Sequence, residues 1–271
     1  MLADIGVGTA LVQRPPSYTV PAFSGSSGTA GYFGGGFDSG GNVSGIDKIT
    51  FPTENKTTLS ATLSSARSEV SGMSNSGVAG YFGGGSDSGG NISGIDKVAF
   101  PADTKTTLTA TLTAAIQQTA AMANSGVAGY FGGGNTGTRV NTIDKITFPA
   151  DTKTTLSATL TSVRTSLAGM ANSGVAGYFG GGAPTINGID KITFPADTKT
   201  TLSATLSIAR ELTSGMANSG VAGYFGGGND GVSNISSIDK ITFPADTRTV
   251  LSATLTSARY GLAGMADGGV V

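Results

Sequence analysis

Gly177-Tyr178-Phe179-Gly180-Gly181-Gly182 is one of five copies of a single six-residue string. The five tyrosines, Tyr32, Tyr81, Tyr130, Tyr178 and Tyr224, lie 49, 49, 48 and 46 residues apart. A variable loop follows each copy, then Ile-Asp-Lys, a Phe-Pro pair and a run of Thr, Leu, Ser and Ala. A self-similar period of roughly 20–50 residues marks a solenoid, propeller or array, in which each unit buries its apolar face against its neighbours.

Working outward from Tyr178, the fourth unit reads as short strands. Leu167-Ala-Gly-Met-Ala-Asn172 is a small-residue apolar run, and Asn172-Ser-Gly174 is a turn signal. Val175-Ala-Gly-Tyr-Phe179 then runs into the glycine triplet, so the two runs predict a hairpin. Ile189-Asp-Lys-Ile-Thr-Phe194 gives a third strand. Pro195-Ala-Asp-Thr-Lys199 is a turn in which Asp197 is expected to cap its own backbone. The alternation of Leu202, Ala204 and Leu206 with hydroxyl residues predicts a half-buried fourth strand over Thr201–Leu206. Four strands per unit and no clear helix predict an all-β chain, a five-bladed β-propeller of four-stranded antiparallel blades.

The expected units are 29–66, 67–115, 116–163, 164–209 and 210–258. The first lacks a strand before its Gly-Tyr-Phe, and Gly261-Leu-Ala-Gly-Met-Ala266 has no partner after it. The ring is therefore expected to close by pairing the N- and C-terminal strands, with residues 259–271 closing the first blade. Residues 1–28 fall outside the repeat and read as an arm. Within it Arg14, Pro15, Pro16 and Tyr18 are the candidate anchor to a larger assembly.

Composition narrows the function. The chain has no histidine, cysteine or tryptophan. It therefore lacks the commonest general base, any thiol nucleophile and any disulfide. Charge is sparse at 12% with a net of −1, which offers no footprint for nucleic acid. The start of the sequence does not read as a secretory signal, and no stretch reaches the length of a membrane span. The glycine triplets lack the lysine and helix of a phosphate loop. Asp47, Asp96, Asp144, Asp190 and Asp239 recur in equivalent places, which argues for local pairing with amides or arginines over a catalytic carboxylate set. The repeated tyrosines read as interblade packing, as does Phe82. No enzyme activity, cofactor or metal is expected. The loops after the glycines hold all the length variation, so candidate partner-binding residues are Asp38, Asn42, Asp87, Asn91, Arg139, Asn187, Asn229 and Asp230.

The unit resembles the kelch repeat of galactose-oxidase-like propellers: an aromatic strand running into glycines, an Ile-Asp-Lys segment, and a later arginine at Arg67, Arg164, Arg210 and Arg259. The likeness covers roughly residues 29–266. Ile116 stands where the other units have arginine, Thr or Leu replaces the usual late tryptophan, and five units replace the usual six or seven. The copper ligands of the galactose-oxidase relatives have no counterpart in a chain without histidine or cysteine. The Tyr-Phe-Gly-Gly-Gly and Ile-Asp-Lys-Ile-Thr-Phe strings also resemble propellers among tailed-phage structural proteins. That resemblance implies a virion component in a tail fibre, baseplate or capsid surface. It would meet other virion proteins through the arm and a host-surface glycan or protein through the loops, without entering a membrane. A free-standing glycan- or protein-binding propeller is the alternative.

Overall fold

A computed structural model describes residues Ala30–Gly264. They form a five-bladed β-propeller without any helix. Blade 4 shows the plan. Its inner strand Ala168–Asn172, second strand Ala176–Gly180, third strand Ile189–Thr193 and outer strand Thr198–Thr201 lie side by side, antiparallel. The register sets Tyr178 between Met170 and Lys191. Blades 2, 3 and 5 repeat this order. Blade 1 has three described strands, Ala30–Gly34, Ile46–Thr50 and Asn55–Thr58.

The inner strands Ser71–Asn75, Ala120–Asn124, Ala168–Asn172 and Ser214–Asn218 touch in succession. They run so close that a Cβ on Gly169 would lie 2.5 Å from the Ala121 carbonyl oxygen. Gly169 and Gly215 are glycine because no side chain fits between these neighbouring backbones, while Met73, Met122 and Met170 of the same strands reach into the junctions between blades. The core is correspondingly divided. Among the described residues buried apolar side chains fall into four clusters, one between each successive pair of blades from 1 to 5.

Each junction is built by the same residues. At the junction of blades 3 and 4, Tyr130 stacks on Phe194 with ring centroids 5.1 Å apart. The Tyr130 hydroxyl donates to Asp197 Oδ1 at 2.8 Å, and Lys145 Nζ reaches Asp197 Oδ2 at 2.6 Å. Burial, then the Asp197 hydrogen bond, pushes the Tyr130 phenol above its ordinary value. Phe179 of blade 4 fills the cradle of Gly132, whose added Cβ would sit 2.6 Å from the ring. Tyr32, Tyr81 and Tyr178 repeat these contacts with Asp103, Asp151 and Asp246. Tyr32, Tyr81, Tyr130, Tyr178 and Phe82 thus pack between blades, as expected, while Tyr224 makes no such stack among the described residues. Asp197 differs: in the left-handed conformation at φ 55, its carboxylate serves the preceding blade and not its own turn.

Arginines tie the blades again. The Arg164 N–H donates to Val140 O in blade 3, while its guanidinium reaches Asp190 Oδ2 in blade 4 at 2.7 Å. Arg67 and Arg210 do the same for Asp96 and Asp239. All three arginines are fully or almost fully buried. Burial alone would raise the Asp190 carboxyl, but Thr161, Arg164 and Thr201 outweigh it and hold it below the usual carboxylate range. Ile116 leaves Asp144 without an arginine. Thr113 N–H at 2.7 Å, Thr113 Oγ1 at 2.6 Å and Thr155 Oγ1 at 2.7 Å donate to it instead.

One expectation about strands is corrected. The outer strand is Thr198–Thr201, not Thr201–Leu206. Leu202 and Leu206 lie in a connector whose N–H groups return to Ile189 O and Asn187 O at 2.9 and 2.8 Å. Burial of Leu206 under this connector produces the alternation that reads as a strand. Among the described residues Ala30–Gly34 pairs with Ile46–Thr50 alone. Residues 265–271 of the expected closing strand lie outside the described residues.

Candidate functional site

The five variable loops gather at one end of the propeller, where the glycine triplets meet the segments that link blades. The triplet sets this geometry. Gly180 is the cradle for Phe225, while Gly181, at φ 68, passes within 2.7 Å of the Arg210 carbonyl oxygen when given a Cβ. No L side chain fits that close approach. The chain then enters the loop beside the linking segment, making the paired bridges Ser68 with Ser86, Gln117 with Asn135, Thr165 with Ala183, and Glu211 with Asn229.

Most of the loop residues singled out from the sequence hold the loops themselves. Asp38 Oδ1 accepts Gly40 N–H and Asp87 Oδ1 accepts Gly89 N–H, both at 2.7 Å. Asn42 Nδ2 donates to Ser86 O at 3.1 Å and Asn91 Nδ2 to Asn135 O at 2.8 Å, each tying one loop to the next. Asn229 bonds Gly231 N–H and Asn234. Asp230 accepts Val232 and Ser233 N–H, and the Ser233 amide first, then that of Val232, lowers its carboxyl. Asn187 O receives the Leu206 N–H of the connector. The structure does not converge these residues on one point. Arg14, Pro15, Pro16 and Tyr18 of the candidate anchor lie outside the described residues.

Arg139 is different. It lines an open cavity of about 480 Å³ together with Gln118, Asn135, Thr165, Glu211 and Leu212. The wall mixes a cation, an anion, amides and hydroxyls with the apolar surface of Leu212 and Ala183. Such a wall suits hydrogen bonding to a hydroxylated or peptidic ligand. Gln118 is held in place by donating its Nε2 to Glu69 Oε1 and accepting from Thr165 Oγ1, both at 2.8 Å. Beneath the wall runs a collar of backbone bonds. Gln118 N–H donates to Glu69 O, Ser166 N–H to Gln118 O, Leu212 N–H to Ser166 O and Gly261 N–H to Leu212 O. All five of these residues have φ between 53 and 65.

Gln118, Thr165 and Glu211 were not singled out from the sequence. Their signal is the dipeptide after each arginine position, Ser68-Glu69, Gln117-Gln118, Thr165-Ser166, Glu211-Leu212 and Tyr260-Gly261, where otherwise similar units change residue type. Among the described residues, no three His, Cys, Asp or Glu side chains group as metal ligands do. A scan of protein-family models finds no match for the chain, and a search of curated proteins finds none either.

Proposed function

We propose that this protein is a non-enzymatic structural and binding component of a virus particle of the tailed-phage type, in a tail fibre, baseplate or capsid surface. In this reading the loop end meets a host-surface glycan or protein and residues 1–28 attach to other virion proteins. The observation that carries the binding role is the division of labour between residues. In the four described blade junctions the shared tyrosines, phenylalanines, aspartates and arginines are used up in contacts within and between blades, while residues that differ between units surround the Arg139 cavity. The kelch-like character of the strings around Tyr178 and Ile189, and their likeness to phage structural propellers, support the virion setting.

The test has two arms. Arg139→Ala with Glu211→Ala should abolish binding to host-surface glycans or surface extract while circular dichroism stays unchanged. The protein should also co-sediment with purified particles. Binding without co-sedimentation would favour a free-standing glycan- or protein-binding propeller, a reading for which the same cavity speaks. Binding unaffected by the double substitution would remove the cavity from the account.

A further inference from the structure

The Arg139 cavity brings together two charges that the protein itself does not use. From Arg67 to Arg210, every lysine and arginine except Arg139 is held in an ion pair with an aspartate. Every described aspartate accepts a hydrogen bond, and Glu69 accepts one from Gln118. Among the described residues the Glu211 carboxylate receives none. Arg139 and Glu211 line the same cavity, yet no ion pair joins them. The combination occurs once in the ring. Arg139 is the one cation in the five variable loops, and Glu211 the one carboxylate among Ser68, Gln117, Thr165, Glu211 and Tyr260, which open the linking dipeptides.

Both side chains stand on fixed backbone. Glu211 and Asn229 exchange N–H to carbonyl bonds at 2.9 Å in both directions. Arg139 stands at the foot of a tied turn. Asn135 Oδ1 accepts Gly137 N–H at 2.8 Å, Thr136 N–H donates to Thr138 O at 3.0 Å, and Asn135 bridges to Arg139. Groups set out in advance lose little freedom when a ligand arrives. A guanidinium offers paired N–H donors that match the two oxygens of a carboxylate. A carboxylate offers two oxygens that accept from neighbouring hydroxyls. The apolar side chains of the wall are Leu212 and Ala183, and no aromatic ring lines it. That small apolar area suits the C–H face of a sugar ring and lacks the pocket that anchors a large peptide side chain.

We propose that this cavity binds one sugar residue carrying a carboxylate, with the carboxylate on Arg139, ring hydroxyls on Glu211 and the C–H face of the ring against Leu212. The inference rests on the reading of the cavity as a glycan site and adds the charge that its ligand bears. The two side chains divide the recognition. Arg139 distinguishes a carboxylate from a neutral hydroxymethyl group. Glu211 takes hydroxyls that acidic and neutral sugars share. Glu211 also repels chains that carry negative charge at every position, so the site favours a single carboxylate set beside free hydroxyls.

Titration calorimetry and ligand-observed NMR of the full chain test this with D-glucuronate and D-galacturonate against D-glucose and D-galactose. Each neutral sugar differs from its uronate only at the C6 group. At least one uronate should bind at one site per molecule and about tenfold or more tightly than its neutral counterpart. Added salt should weaken the uronate and leave the neutral sugar unchanged, a readout that needs no variant. Arg139→Gln should remove the preference, and Arg139→Lys should keep part of it, since lysine supplies the charge without the fork. Glu211→Ala should weaken the neutral sugar as well as the uronate. Equal binding of a uronate and its neutral counterpart, salt-insensitive uronate binding, or a preference that survives Arg139→Gln would overturn the carboxylate contact and leave the glycan reading standing. Failure of both uronates to bind would overturn the proposal too. If an acetylated tripeptide with a free C-terminal carboxylate then bound, and Arg139→Gln abolished that binding, the cavity would belong to a protein partner and the glycan reading would fall with it.

Discussion

Arg164 and Asp190 are both almost completely buried, yet the two are not equivalent losses. Remove the carboxylate, and the guanidinium stays buried among the carbonyls of Phe179, Gly181 and Gly188. Asp190→Ala should therefore cost about 3–5 kcal/mol, the range for an ion left unpaired in the interior. Remove the arginine, and Asp190 keeps the Thr161 and Thr201 donors. The Ile116 junction shows that such a set suffices for a buried aspartate. Arg164→Ile should then cost only about 1–3 kcal/mol, the scale of ordinary lost hydrogen bonds. Urea unfolding of the two variants decides the order, and an equal or reversed cost would refute the asymmetry. Asp96 and Asp190 also fix a pH dependence. Both have folded values held below the ordinary carboxylate value, so their contribution is complete above the unfolded value of about 4 and is lost as pH falls through the folded one. The urea midpoint should hold from pH 7 to 5 and drop on acidification below about pH 4, less steeply in Asp190→Asn.

Strands two and three were legible because both carry their signal locally: an aromatic beside a glycine triplet, and a recurring Ile-Asp-Lys-Ile-Thr whose two isoleucines, Ile189 and Ile192, are both buried. The outer strand was not. Thr198-Lys-Thr-Thr201 has no apolar side and faces solvent, whereas the connector after it has the alternation that a strand would show. The cavity was illegible for a different reason. Gln118 and Arg139, Thr165, and Glu211 come from three units and meet only because blades are set around an axis, which no spacing within one unit reveals. The loops are also separable elements. Asn229 pairs with Glu211 in the way that Asn135 pairs with Gln117. Replacing Asn135–Thr142 by the Asn229–Ser237 sequence should keep that bridge and leave the far-ultraviolet spectrum and melting point unchanged. Partner binding should change, since the graft removes Arg139. A collapsed spectrum would mean that the loop takes part in the fold.

With one core cluster per junction, stability is spread along the chain as nearest-neighbour terms, as in other repeat arrays. Phe131→Ala, which empties the Gly83 cradle, should cost about 3–5 kcal/mol, and a loss below about 1 kcal/mol in denaturant would contradict its burial. Truncation after Ala258 removes the Arg259 carbonyl that receives Gly228 N–H and the Gly261 N–H that extends the collar. The shortened protein should melt lower or self-associate, and unchanged melting at monomer mass would count against a structural role for this segment. Deletion of residues 1–28 addresses the proposed attachment to a particle. It should abolish co-sedimentation while leaving the melting temperature in place.

The sameness of the junctions has a consequence for how such a gene changes. Duplicating or deleting one in-frame segment of 46 to 49 residues, the distance between successive tyrosines, produces a protein in which each blade still meets a neighbour carrying the residues it requires. Recombination between repeats thus adds or removes a complete loop in one step without disturbing the contacts that hold the remaining blades. Point mutation then works on a loop already supported by a finished scaffold. Diversity in what the protein touches is decoupled from the solved problem of how it packs.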